Sequence, residues 1–181
     1  MDVAAAWRFL EQSELVASAD EVQAALRRVA AEIGERLSGA YPLVLAVMGG
    51  AVVFAGQLLP LLRFPLDFDY IHVSRYGAGT RGAAVDWRVT PPETVRGRSV
   101  LVVDDILDGG ETMAAIRERL LELGASAFHC AVLVEKTLRR DKPIRADFVG
   151  LRIPDRFVFG YGMDAKGYWR NLPEIRAMAG T

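Results

Sequence analysis

The stretch Val100–Met113, VLVVDDILDGGETM, holds the residues best able to do chemistry. Four apolar residues lead into Asp104 and Asp105, and Asp108, Gly109, Gly110, Glu111 and Thr112 follow. Adjacent carboxylates repel each other, and a buried charge is costly unless paired. Acids clustered this tightly imply something for them to hold. Sugar hydroxyls donate to carboxylates, and Mg²⁺ binds them directly or through water. Gly109 and Gly110 permit positive φ and a close backbone approach. A helix opening at Thr112 would aim consecutive N–H groups at an anion, and phosphate is the usual guest of such a nest. Acids for hydroxyls beside amides for a phosphate describe a ribose 5-phosphate site. The stretch is neither a Walker A loop nor the dinucleotide-binding glycine fingerprint. The bland alternative is an acidic, capped turn between strand and helix.

Such a site needs a strand end and a helix start, and the chain supplies both. RSVLVVDD reads as a buried strand, and Met113, Ile116, Leu120 and Leu123 mark the helix after it, stopping at Gly124. Upstream, Asp20 with Gln23 suggests a capping box, and Val22, Leu26, Val29, Ile33 and Leu37 predict an amphipathic helix over 20–38. YPLVLAVMGG is a buried strand ending in two glycines, AVVFAGQLLPLL a helix ending near Pro60, and PLDFDYIHVSRY a strand. GAGTRGAA is a loop, and VDWRVTPP a returning hairpin arm. SAFHCAVLVEK is another buried strand; DFVGLRIP and FVFGYG are shorter ones. Apolar strands alternating with helices predict an α/β fold with a mostly parallel central sheet flanked by helices. In such sheets, ligands bind at the carboxyl ends of the strands. The expected organisation is a single domain over 1–181, with a core of about 20–150 and a small hood from about 1–19 and 151–181.

Bulk properties fit. The chain has 181 residues, 51% apolar and 25% charged, with a net charge of −1. That balance argues against a nucleic acid or a membrane as the main partner. The single cysteine, Cys130, cannot form an internal disulfide and reads as a small buried hydrophobe, which suits a reducing cytoplasm. The first residues lack a signal peptide's pattern, and no stretch reaches the length of an apolar membrane span.

VLVVDDILDGGET resembles the phosphoribosyl-diphosphate (PRPP) motif of type I phosphoribosyltransferases. Together with VMGG, SRYGAG, AVLVEKT, IPDRFVFGYGMD and KGYWRNLP, in that order over residues 43–176, it resembles the hypoxanthine-guanine phosphoribosyltransferases. That resemblance implies purine salvage: transfer of the phosphoribosyl group from PRPP to N9 of a 6-oxopurine, giving IMP or GMP and pyrophosphate, with Mg²⁺ as cofactor. By the same resemblance Asp104 and Asp105 hold the ribose, Asp108 is the general base near purine N7, and Asp108–Thr112 bind the 5′-phosphate. Met48, Gly49 and Gly50 form the pyrophosphate loop, with a cis peptide at Met48–Gly49. Tyr76 belongs to the catalytic mobile loop, Lys136 reads the 6-oxo group, Phe157 stacks on the base, and Val158 meets its edge with backbone. Asp164 lies by the base and joins Asp104 and Asp105 in metal binding, and Arg170 binds pyrophosphate. The family also implies a homodimer or homotetramer.

Four positions depart from the family pattern: Met48 for lysine, Arg75 for serine, Gly109 for threonine or serine, and Asp104 for glutamate. A xanthine-preferring transferase is the alternative within the class. Outside it stand a PRPP-sensing regulator, whose basic face would have to be LRRDKPIR at 138–145, and a phospho-acceptor receiver domain, which spreads its acids over two strands. His72 and His129 read as structural; Trp169 is open to a structural or a pocket-lining role.

Overall fold

The structure is a computed structural model that describes residues 2–75 and 85–180. Its centre is a six-stranded sheet, ordered β4-β3-β2-β5-β6-β7. The strands are β2 (Leu43–Met48), β3 (Asp67–Arg75), β4 (Val85–Val89), β5 (Ser99–Leu107), β6 (Ala127–Thr137) and β7 (Phe148–Pro154). All neighbours are parallel except β3–β4, the expected hairpin arm. The central strands are apolar on both sides because helices cover both faces. On one face α2 (Ala19–Leu37) and α3 (Val52–Leu58) pack Val29, Ile33, Phe54 and Leu58 against Val44, Leu101 and Leu133. On the other, α4 (Glu111–Glu122) packs Ile116 and Leu120 against Leu45, Val102 and Val132.

Helix α2 starts one residue earlier than the periodicity predicts. Its box is Ser18 with Glu21, not Asp20 with Gln23: Ser18 N–H donates to the Glu21 carboxylate at 2.8 Å, and Glu21 N–H to Ser18 Oγ at 3.3 Å. Both spacings satisfy the pattern. Ser18 wins because its backbone is extended, as a cap requires, while Asp20 and Glu21 sit as first-turn acids at the positive helix end. Helix α4 likewise opens at Glu111 rather than Thr112.

The hood is a second, antiparallel sheet, ordered β1-β9-β8, from β1 (Ser13–Ala17), β8 (Val158–Phe159) and β9 (Ile175–Met178), with α1 (Val3–Glu11) beside it. Residues 151–154 complete β7 of the main sheet, so the hood's C-terminal part begins after Pro154. Trp169 makes structural contacts: its Nε1 donates to the Ala6 carbonyl at 2.8 Å and its ring meets Trp7 edge-on at 4.9 Å. It ties the last segment to α1. Among the described residues, no helix is long and apolar enough to cross a membrane.

Cys130 is fully buried on β6, and burial pushes its thiol up to about 12. The thiolate, not the thiol, reacts. The native protein is therefore expected to leave an Ellman reagent untouched at pH 8, with one equivalent reacting after unfolding in guanidinium. A stoichiometric reaction with native protein would contradict the packing.

Candidate active site

Strand β5 runs through the acid pair and ends at Leu107, so Asp104 and Asp105 are strand residues pointing to opposite faces, and Asp108 starts the turn. Gly110 caps α4 at φ +90°, a conformation that favours glycine, and directs the chain into the helix. The carboxyl ends of β2, β3 and β5 thereby frame a cleft of about 390 Å³. Met48, Gly49 and Gly50 line one wall, Asp104, Asp105 and Asp108 the floor, Gly109, Gly110 and Thr112 the far wall, and Arg170 the rim. The Met48–Gly49 peptide is cis.

A second pocket of about 200 Å³ adjoins it, sharing Asp105, Ile106 and Asp108. Its remaining walls are Lys136, Phe157, Val158, Met163 and Asp164. Lys136 is the only buried charged residue among those described; its Nζ lies 2.9 Å from Asp108 Oδ2 and 3.4 Å from Asp155 Oδ1. Phe157 is exposed and lines the pocket. The structure thus divides most of the predicted residues between two adjoining pockets, with Asp105 and Asp108 in both.

The hood closes onto the cleft through glycine contacts. A Cβ on Gly50 would overlap the Asp105 carboxylate, and a Cβ on Gly162, at φ +104°, would overlap the Gly50 carbonyl. Asp105, the 48–50 loop and the hood turn therefore stack without side chains between them. That turn places Arg170: its guanidinium donates to the Gly162 carbonyl at 2.7 Å and pairs with Asp164 at 2.6 Å. Asp164 also accepts from Gly167 N–H at 2.7 Å.

The Glu111 carboxylate lies beside Gly109 and pairs with Arg140 at 2.9 Å. The space a side chain at Gly109 would need is taken by this Glu111–Arg140 pair. Tyr76 lies outside the described residues. Sequence reasoning missed His72 and Val73 in the cleft, Met163 in the second pocket and Ile106 in both. His72 pairs in register with Met48, so its position was readable only once β2 and β3 were known to be adjacent.

Burial first, and the adjacent Asp105 charge second, push the Asp104 carboxyl well above the ordinary carboxylate range. Burial raises Asp105 too, against the pull of the Asp104 hydrogen bond and of Arg170. A raised acid stabilises the fold below its unfolded value and loses that contribution as pH rises through its folded value. Asp104→Asn, which can still accept from Asp105 N–H, is thus expected to raise the melting temperature of the ligand-free protein at pH 7.5. The gain should be about 2–4 °C, which about 1 kcal/mol produces in a chain of this size, and should shrink toward pH 4.5. A lower melting temperature at pH 7.5 would count against the strained pair.

Residues 16–166 match the family model of the phosphoribosyl transferase domain. A hypoxanthine-guanine phosphoribosyltransferase of Bacillus subtilis is 32% identical over 90% of this chain and 91% of its own. A hypoxanthine phosphoribosyltransferase of Staphylococcus aureus superposes with a TM-score of 0.85 at 28% identity, over 91% of this chain and 90% of that one. A hypoxanthine-guanine phosphoribosyltransferase of Bacillus anthracis gives 0.83 at 30%, over 92% and 98%. Fold, motif order and relatives agree: the chain belongs to the phosphoribosyltransferase family, in its hypoxanthine-guanine branch.

Proposed function

We propose that the protein transfers the 5-phosphoribosyl group of PRPP to N9 of hypoxanthine or guanine, releasing pyrophosphate. The observation that carries this is the pair of adjoining pockets, one lined by acids, glycines and Arg170, the other by Lys136 and Phe157, meeting at Asp105, Ile106 and Asp108. In this reading Asp104 and Asp105 accept from the ribose hydroxyls. The N–H groups of 108–112 hold the 5′-phosphate, with the Thr112 hydroxyl beside them. Gly49, Gly50 and the Met48 backbone face the diphosphate, and Arg170 neutralises charge developing on it as the glycosidic bond breaks.

The purine lies on Phe157 with its edge at Val158. Lys136 donates to O6, and Asp108 accepts the proton that the base gives up. Adenine presents a donor where oxo-purines present an acceptor, leaving the Lys136 ammonium unmatched, and such mismatches discriminate strongly. Tyr76 belongs to the loop that would exclude water from the sugar cation.

The donor set suits Mg²⁺. That ion takes one or two carboxylates and completes its shell with phosphate and water. Asp104, Asp105 and Asp164 would supply the carboxylates; among the described residues no three acid, histidine or cysteine side chains stand together as an ion-binding group, so phosphate and water oxygens would have to complete the shell. When bound, Mg²⁺ would neutralise the diphosphate as a Lewis acid. A homodimer or homotetramer and a cytoplasmic location complete the reading.

The test is a spectrophotometric assay with PRPP, Mg²⁺ and each of hypoxanthine, guanine, xanthine and adenine. Turnover of hypoxanthine and guanine without adenine supports the proposal. Preference for xanthine would move the chain to the alternative within the class, and PRPP binding without turnover of any base would make it a regulator.

A further inference from the structure

The basic run LRRDKPIR forms the connection between β6 and β7 and reads from the sequence as a solvated loop. One of its cations is not solvated. The Lys142 side chain is only 10% exposed; its Nζ donates to the Leu107 carbonyl at 2.9 Å and lies 3.7 Å from the Glu135 carboxylate. Leu107 is the last residue of β5, so this carbonyl belongs to the peptide whose N–H is that of Asp108.

The same connection backs the glycine turn. A methyl group on Gly110 would rest against Ile144 and Pro143 at 3.4 Å and against Cβ of Lys142 at 3.5 Å. Ile144 itself packs on the α4 side of the core. Six residues earlier, Lys136 grips the Asp108 carboxylate. One segment therefore clasps the acid turn at both ends, with Lys136 on the side chain and Lys142 on the backbone.

A lysine this buried needs a physical account, since desolvating an ammonium is costly. Glu135 is a partial one, because Arg152 also holds it, at 3.1 Å. Arg152 is largely exposed, so water and salt screen its charge, whereas the Lys142 ammonium and the Glu135 carboxylate are both mostly out of water and screened less. A carbonyl bound to a cation also polarises its own peptide and makes the N–H on the other side a stronger donor.

We infer that Lys142 is a positioning residue for the phosphate loop. It fixes the Leu107–Asp108 peptide and sets a largely desolvated ammonium on its carbonyl behind the N–H groups of residues 108–112, strengthening their hold on a sugar 5′-phosphate. The inference rests on the reading of 108–112 as the phosphate loop.

The test compares binding of GMP and guanosine by calorimetry, so that the phosphate's own contribution is read directly. Wild type is expected to bind GMP far more tightly than guanosine; equal affinities would overturn both the loop reading and this inference. Lys142→Met keeps the stem against Gly110 but removes the donor and the charge. It should weaken GMP binding about tenfold, equivalent to about 1.4 kcal/mol, while leaving guanosine unchanged, and Lys142→Arg should restore most of the loss. A merely structural lysine would change both ligands together or neither, and either result overturns the inference while the wild-type difference stands. Should Lys142→Met not fold, Glu135→Gln decides: releasing the ammonium from its counter-charge should tighten GMP about twofold or more without affecting guanosine. No change, or weaker GMP binding, rejects the role.

Discussion

Asp108→Asn is expected to lower kcat with hypoxanthine or guanine by about 10²–10⁴-fold, the range that a positioned acid or base contributes. Asn has the shape of Asp and can still accept from Lys136 through its amide oxygen, so the 2.9 Å contact and the turn should survive. What it lacks is a site for the purine proton. PRPP binding should be nearly unchanged, because the phosphate N–H groups are backbone and the ribose acids lie earlier on β5. The check is steady-state kinetics together with direct titration of PRPP. Full activity would remove the base assignment; weakened PRPP binding with unchanged kcat would make Asp108 a sugar-phosphate ligand instead.

Lys136→Met should lower kcat/KM for oxo-purines by about 10- to 100-fold, the loss expected for a charged hydrogen bond of about 1.5–3 kcal/mol. Adenine, which gains nothing from the ammonium, should show no corresponding loss, so the ratio of oxo-purine to adenine activity falls. Stability should change little: the carboxylates left behind, Asp108 and Asp155, are 56% and 64% exposed and remain hydrated. The effect therefore belongs to recognition rather than folding, and thermal melts beside the four-base assay separate the two. Retention of the oxo-purine preference in a folded variant would show that another group reads O6.

The central sheet was legible because its strands are long apolar runs that no amphipathic surface element would tolerate, and because the acids break the run of β5 where ligands bind in such folds. That residues of the ordered motifs would meet at one end of the sheet was legible because most of these motifs end a strand or follow one. Other features depend on contacts between distant segments. β1 is a five-residue strand whose partner, β9, lies at the other end of the chain, so no local pattern announces it. Trp169 stands beside Arg170 in sequence, yet turns to Ala6 because its backbone takes φ +66° there. Lys142 sits among charges that promise a solvated loop; only the approach of the β6–β7 connection to Gly110 buries it. Ser18 and Asp20 offered equivalent capping patterns, and backbone conformation decided between them.

A crystal structure of the protein with GMP tests the account most directly. The account predicts the phosphate against the N–H groups of residues 108–112, the ribose hydroxyls at Asp104 and Asp105, and the guanine on Phe157 with O6 on Lys136 Nζ. A nucleotide bound with its phosphate away from that turn, or with its base outside the Lys136 pocket, would contradict it.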